Sequence, residues 1–171
     1  MIVLEPWSPQ WKSAFERECA RLAPAFEKFS FRAEHIGSTS VEGLAGKPVI
    51  DMLIGLERYE DSEQLIAPLE NAGYVYFKHF ETRLPNRRFF ARDENGVRTH
   101  NLHLVALDGE FWERHLLFRD YLCTHPETRD AYLALKKELA VKFAADTNAY
   151  ADAKTPFIRA IELQAAMEKQ R

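Results

Sequence analysis

Residues 34–56 read EHIGSTSVEGLAGKPVIDMLIGL. The pattern is a short strand ending at Ile36, a turn at Gly37 followed by three hydroxyl residues, a Gly-punctuated segment, and an apolar strand interrupted by one carboxylate, Asp51. Glycines and hydroxyls in a turn suit phosphate binding, because bare backbone N–H groups can approach an anion there. The carboxylate in a strand of Val, Ile, Met and Leu needs a partner, since a dry, unpaired charge costs several kcal/mol. A metal ion would supply one, and so would a buried base such as Arg32.

Upstream, Ser8 caps a helix with Pro9 just inside it, and the helix runs to about Phe29 with Pro24 as its kink or split point. Trp11, Phe15, Leu22, Phe26 and Phe29 recur at helical spacing as its buried stripe. Downstream, Asp61 or Ser62 caps a helix through Asn71 that stops at Gly73, and Tyr74 to Phe77 forms a short strand. Arg87–Arg92 and Thr99–Leu107 read as two strands joined by Asp93-Glu94-Asn95-Gly96. Three helices follow, from Phe111, from Pro126 and from Thr155-Pro156. The fold class expected is one α+β domain over residues 1–171, a small mixed sheet flanked by helices with a helical C-terminal half.

The bulk numbers narrow the function. At 171 residues, with 46% hydrophobic and 29% charged side chains, the chain is an ordinary globular domain. A net charge of −3 gives no global attraction to nucleic acid or to an acidic membrane. Cys19 and Cys123 lie far apart without metal-ligand spacing and read as reduced thiols of a cytoplasmic protein. The N-terminal MIVLEPWSPQWKS lacks the pattern of a signal peptide, and no stretch approaches the roughly 18–20 apolar residues of a membrane span.

Several motifs fail. Gly46-Lys47 is followed by Pro48, and Val41 stands where a Walker A loop has its first glycine. Ser40 is flanked by Ser38 and Glu42 where a nucleophile elbow has glycines. His100 and His103 fall on opposite faces of a strand and cannot ligate one metal as a pair.

The run from His35 to Leu56 resembles the signature of the GrpB-like family, as do Phe-Arg-Asp-Tyr-Leu at 118–122 and the Tyr150…Lys154…Phe157 spacing. That family resembles a branch of the nucleotidyltransferase fold superfamily, and a related domain is similar to the C-terminal half of some bacterial dephospho-CoA kinases. The resemblance implies a nucleotide-binding turn at Gly37 and Ser38, extended by Thr39 and Ser40, and a metal-binding acid at Asp51. It also exposes departures. The superfamily pattern has two acids spaced D-x-D, and here the first position holds Val49. A third acid is expected on the later strand, where His103 and Asn101 share one face.

The expected function is that of a nucleotidyltransferase-like protein binding a nucleoside triphosphate with Mg²⁺ or Mn²⁺. Asp51 and His103 are its candidate catalytic residues, and Asp51, Glu34 and His103 its candidate metal ligands. Lys47, Arg88, Lys136 and Lys154 are the candidate phosphate contacts; Arg87 and Arg88 point to opposite faces, so at most one can face the site. Two other readings stand beside it: a nucleotide or CoA-precursor binding module without chemistry, and a metal hydrolase built on His35, His79, His100 or His103. Phe89-Phe90 and Trp112 are expected in the core.

Overall fold

The computed structural model describes residues 2–169. A five-stranded mixed sheet runs in the order β1 (Phe31–Ile36), β2 (Ile50–Leu56), β5 (Val97–Ala106), β4 (Arg87–Glu94), β3 (Val75–Tyr76). Only β2 and β5 pair in parallel; the other neighbours are antiparallel. Helices α1 (Pro9–Phe26) and α2 (Ile66–Asn71) cover one face, and α3 (Glu110–Thr124), α4 (Pro126–Lys142) and α5 (Thr147–Lys169) form the C-terminal half beside the other. This is the α+β arrangement expected from the sequence.

Strand β2 is buried on both sides, which is why it reads as a nearly continuous apolar run. Its alternation decides where the chemistry goes. Ile50, Met52, Ile54 and Leu56 pack with Leu102, Leu104 and Phe90 against Trp11, Leu22 and Phe26 of α1. The other parity, Asp51, Leu53 and Gly55, faces the C-terminal helices. There Leu53 meets Ile36, Val105 and Trp112. Gly55 has to be glycine, because a Cβ would stand 2.7 Å from the Trp112 ring. Asp51 is thus carried to the edge of that second face, at the mouth of the sheet.

The helix-covered first face contains an acid of its own. Glu18 of α1 is 3% exposed. It accepts from Arg21 at 2.6 and 2.9 Å, from the Tyr74 hydroxyl at 2.7 Å and from Arg92 at 3.2 Å. Burial pushes its carboxyl up, but the Arg21 and Tyr74 bonds, with the charges of His100 and Arg92, hold it below the usual range. This network ties α1 to β4 across the apolar layer.

Several boundaries differ from expectation. Helix α1 ends at Phe26 and Pro24 sits in its last turn without splitting it. The stretch before Asn71 is two pieces, a 3₁₀ segment Tyr59–Leu65 and then α2, because Pro68 lacks the N–H that would bond to Gln64. The hairpin turn is the pair Asn95-Gly96 alone, both at positive φ (51° and 77°), the geometry that matches strand twist. Helix α5 begins at Thr147, not at Thr155. Asp146 Oδ1 caps it by accepting from the amides of Asn148 and Ala149 at 3.0 and 2.9 Å, and Pro156 lies inside. An interior proline costs ~3 kcal/mol, so sequence reading places the start there; the Asp146 cap and the packing of Ile161 and Ala165 on Tyr121 of α3 outweigh it.

Removing one member of the Glu18 network strands the others. Glu18→Ala is expected to lower the unfolding free energy by about 3–5 kcal/mol in urea titration. Because the folded carboxyl is held low, its contribution is present at neutral pH and is lost as the pH falls through the folded value. That part of the acid dependence is expected to vanish in the variant.

Candidate functional site

Six segments meet at a cleft of about 580 Å³: the turn at Ser38 and Thr39, the Lys47–Asp51 entry to β2, the stretch of Phe77 and Phe80 before β4, β4–β5 at Phe89 and Asn101, α4 at Lys136, and α5 from Thr147 to Lys154. Gly37 starts the turn at φ 74°, a conformation L side chains rarely adopt, and a Cβ there would overlap Asp51 Oδ2. The glycine therefore lets the turn rest on the carboxylate. At Gly46 a Cβ would come within 2.7 Å of Ser38 Cβ, so the returning loop also needs its glycine.

Asp51 and Asn101 are directly paired across the parallel β2–β5 ladder. Asn101 Nδ2 donates to Asp51 Oδ1 at 2.8 Å, while Asn101 Oδ1 accepts from Arg98 at 3.2 Å. The two bonds fix the amide's orientation, with its NH₂ on the carboxylate. Arg98 is held in turn by Asp93. Burial pushes the Asp51 carboxyl up; Asn101, Lys154, Lys47 and Lys136 oppose the shift.

Three lysines surround this acid. Lys136, only 2% exposed, donates from Nζ to Ser38 Oγ at 2.6 Å and to the carbonyl of Ala45. That bond occupies a lone pair of Ser38 and leaves its proton free to donate. Lys154 stands 4.4 Å and Lys47 5.4 Å from the centre of the Tyr150 ring, so one buried tyrosine carries both ammonium groups. The hydroxyl of Tyr150 is buried without a partner among the described residues. Burial lowers all three lysines, Lys136 to about 7 and Lys154 to about 8, with mutual repulsion adding to the effect at Lys136 and Lys154. The opposite wall is aromatic, with Phe77, Phe80 and Phe89.

The sequence-derived candidates divide accordingly. Gly37, Ser38, Thr39, Asp51, Lys47, Lys136 and Lys154 are brought together. Ser40 is turned away, its hydroxyl donating to Gly37 O at 2.7 Å. Thr39 Oγ1 is taken up by His35 Nε2 at 2.9 Å. Glu34 lies across the turn in a second depression and pairs with Arg119 at 2.6 Å. Arg88 is on the α1 side of the sheet, bonded to Ser62, Tyr76 and Glu81. His103 is packed among Phe89, Phe111 and His115, accepts from Arg87 at 3.1 Å, and is held well below its ordinary value by burial and by Arg87. Arg32, the other candidate partner for Asp51, lies against Trp112 and Asp108 instead.

Among the described residues no three His, Cys, Asp or Glu side chains are placed to hold a metal ion. Asp51 offers the one carboxylate of the cleft, Asn101 has its oxygen engaged, and three ammonium groups surround them. Those residues do not fit a two-metal centre, which needs hard oxygens where the cleft presents cations.

Sequence reasoning missed Arg98, Thr147, Asn148, Phe77 and Phe80, and placed Phe89 in the core. The strand period could have found Phe89, which shares its face with Asn101 and His103 while Phe90 faces α1. Arg98 could not have been found that way, because a register shift between Arg92 and Asp93 breaks the alternation.

The mixed sheet, the glycine-serine turn and the acid on the following strand define a nucleotidyltransferase-like fold. The Cid1 poly(U) polymerase bound to MgATP aligns with a TM-score of 0.58 at 11% identity, over 86% of this chain and 50% of that one. The model of the GrpB protein family matches residues 1–164, and the chain belongs to that family. A crystal structure of the conserved protein GrpB from Enterococcus faecalis superposes with a TM-score of 0.89 at 34% identity, covering 99% of this chain and all of that one. A dephospho-CoA kinase of Mycolicibacterium paratuberculosis is 30% identical over 182 residues; the alignment takes in 92% of this chain but only 44% of the kinase. No helix among the described residues is long and apolar enough to cross a membrane.

Gly37→Ala tests the turn. The positive φ and the overlap with Asp51 are expected to cost more than ~1 kcal/mol in urea unfolding. A pH series tests the buried lysine. The unfolded chain holds a proton on Lys136 up to its ordinary value of 10.5, whereas the folded chain releases it near 7. Wild-type stability relative to Lys136→Met should therefore rise with pH across that interval.

Proposed function

We propose that the cleft binds the phosphates of a nucleotide or a related phosphate-bearing small molecule, with Lys47, Lys136 and Lys154 supplying the positive charge. The observation that carries this reading is the convergence of three ammonium groups and the Ser38 hydroxyl on one side of a cleft whose other side is aromatic. Lysine binds phosphate as a mobile point charge, and the Phe77–Phe80–Phe89 wall offers flat apolar surface to a base. The fold shared with a polymerase that binds MgATP, and the similarity to part of a dephospho-CoA kinase, support a nucleotide-related role. Cys19 and Cys123 are free thiols, in keeping with a cytoplasmic setting.

In this reading Ser38 donates to a phosphate oxygen, the lysines neutralise the chain of phosphates, and Asp51 offsets the repulsion among the ammonium groups. Nucleotidyl transfer is the second reading, and it rests on Asp51 alone as a carboxylate on the strand after the turn. One Mg²⁺ can be held by a single carboxylate plus substrate phosphates.

Isothermal titration with ATP, GTP, CTP and UTP, each in EDTA and in Mg²⁺, separates the two. Saturable binding in EDTA that is lost in Lys154→Ala supports lysine-held phosphates. Binding that requires Mg²⁺, disappears in Asp51→Asn and is accompanied by pyrophosphate release supports transfer. No binding under either condition overturns both. Phosphates bound beside Lys136 and Lys154 raise their proton affinity, so complex formation at about pH 8 takes up protons. The apparent enthalpy should then vary with the ionisation enthalpy of the buffer, and affinity should fall as the pH rises above about 8.

A further inference from the structure

Arg87 opens β4, on the sheet face of the C-terminal helices but outside the lysine cleft. Its guanidinium has no carboxylate within 4.0 Å among the described residues, although most arginines of this chain are ion-paired. Nη1 donates to Nδ1 of a histidine, His103, which accepts only when neutral. Nε is buried without a partner. The rings of Phe89, Phe111 and Phe80 stand 5.3, 5.6 and 5.8 Å from the guanidinium carbon. Arginine does not shed its proton, so this is a fixed cation with no counter-charge.

Arg87 also lines a separate cavity of about 370 Å³ between Tyr59, the Leu84–Asn86 turn and the start of α3. The first turn of α3, a 15-residue helix, faces this cavity. Its N-cap is Gly109, which has no side chain to satisfy the leading amides. The positive end of the helix and an arginine without a carboxylate partner among the described residues therefore border one space. The nearest acids are engaged elsewhere. Glu110 is 84% exposed and turned to Arg114, and Glu81 is paired with Arg88.

We propose that this cavity is a second ligand site, which binds a small planar oxyanion through Arg87 and the amides of Glu110 and Phe111, with the body of the ligand against Tyr59 and Phe111. Its volume lies at the low end of the roughly 300–1,000 Å³ of small-molecule sites. A guanidinium fork matches a carboxylate bidentately and accepts a phosphate monoester by the same geometry. The apolar lining of Val105 and Phe111 favours a carboxylate on an aromatic or aliphatic body over free phosphate.

Benzoate and inorganic phosphate are the probes, titrated separately by calorimetry into the full chain and into Arg87→Met and Lys154→Ala. The expected result is benzoate binding to wild type and to Lys154→Ala, weakened by about tenfold or more in Arg87→Met, as befits the loss of one charge-assisted pair. Phosphate binding with the same dependence on Arg87 would assign the site to phosphate esters. In wild-type protein the Arg87 Nε–H resonance should shift on benzoate titration, which keeps the test decisive if Arg87→Met does not fold. Absence of binding by either anion, equal binding in Arg87→Met, or an unmoved Nε–H resonance would overturn the proposal.

Discussion

The bond from the buried Lys136 ammonium to Ser38 and Ala45 is the contact on which the cleft depends. The loop between β1 and β2 is rich in glycine and would otherwise be free to move. Lys136 fastens both of its ends to α4, and Val41 and Leu44 pack beneath it on Leu122 and Tyr132. The Asp51 carboxylate then rests under the turn, with Gly37 giving the space. The burial that makes this lysine rigid also disfavours its charged form and pulls its proton affinity down to about 7.

Charge explains how this cleft differs from the site its fold suggests. A nucleotidyltransferase-like fold brings a turn and neighbouring strands to one place, and the two strands used here, β2 and β5, carry Asp51 and Asn101. With Val49 in place of a second acid, negative charge is too sparse for a pair of metals, and three lysines from a loop and two helices fill the surroundings. The fold sets the position of the cleft, and the side chains set its charge.

The parts legible in the sequence are those governed by short-range rules. Ser8, Gly37 and Gly73 marked their turns through local backbone demands, and the period of two placed Asp51 opposite Met52 and set Asn101 beside His103. Lys136 recurs at helical spacing with Tyr132 and Leu139, so its inward face follows from the period of the helix. What stayed hidden depends on partners far along the chain. Glu34 carries a charge suited to metal, yet Arg119, 85 positions on, claims it. Arg88 looks suited to phosphate, yet Glu81 and Ser62 hold it behind the sheet. The start of α5 was hidden by a conflict between two local signals, the cap at Asp146 and the proline at 156.

The chain separations of the site contacts have a kinetic consequence. Asp51 and Asn101 are 50 residues apart, and Ser38 and Lys136 are 98 apart. The β4–β5 hairpin closes through a two-residue turn and can form early, whereas the parallel β2–β5 pairing must first close a long loop. The contacts that build the cleft therefore carry a large loop-closure cost. A chain stopped before α4 would lack its central tether whatever sheet it had formed. An anion bound in the cleft would slow unfolding by holding together contacts of long chain separation.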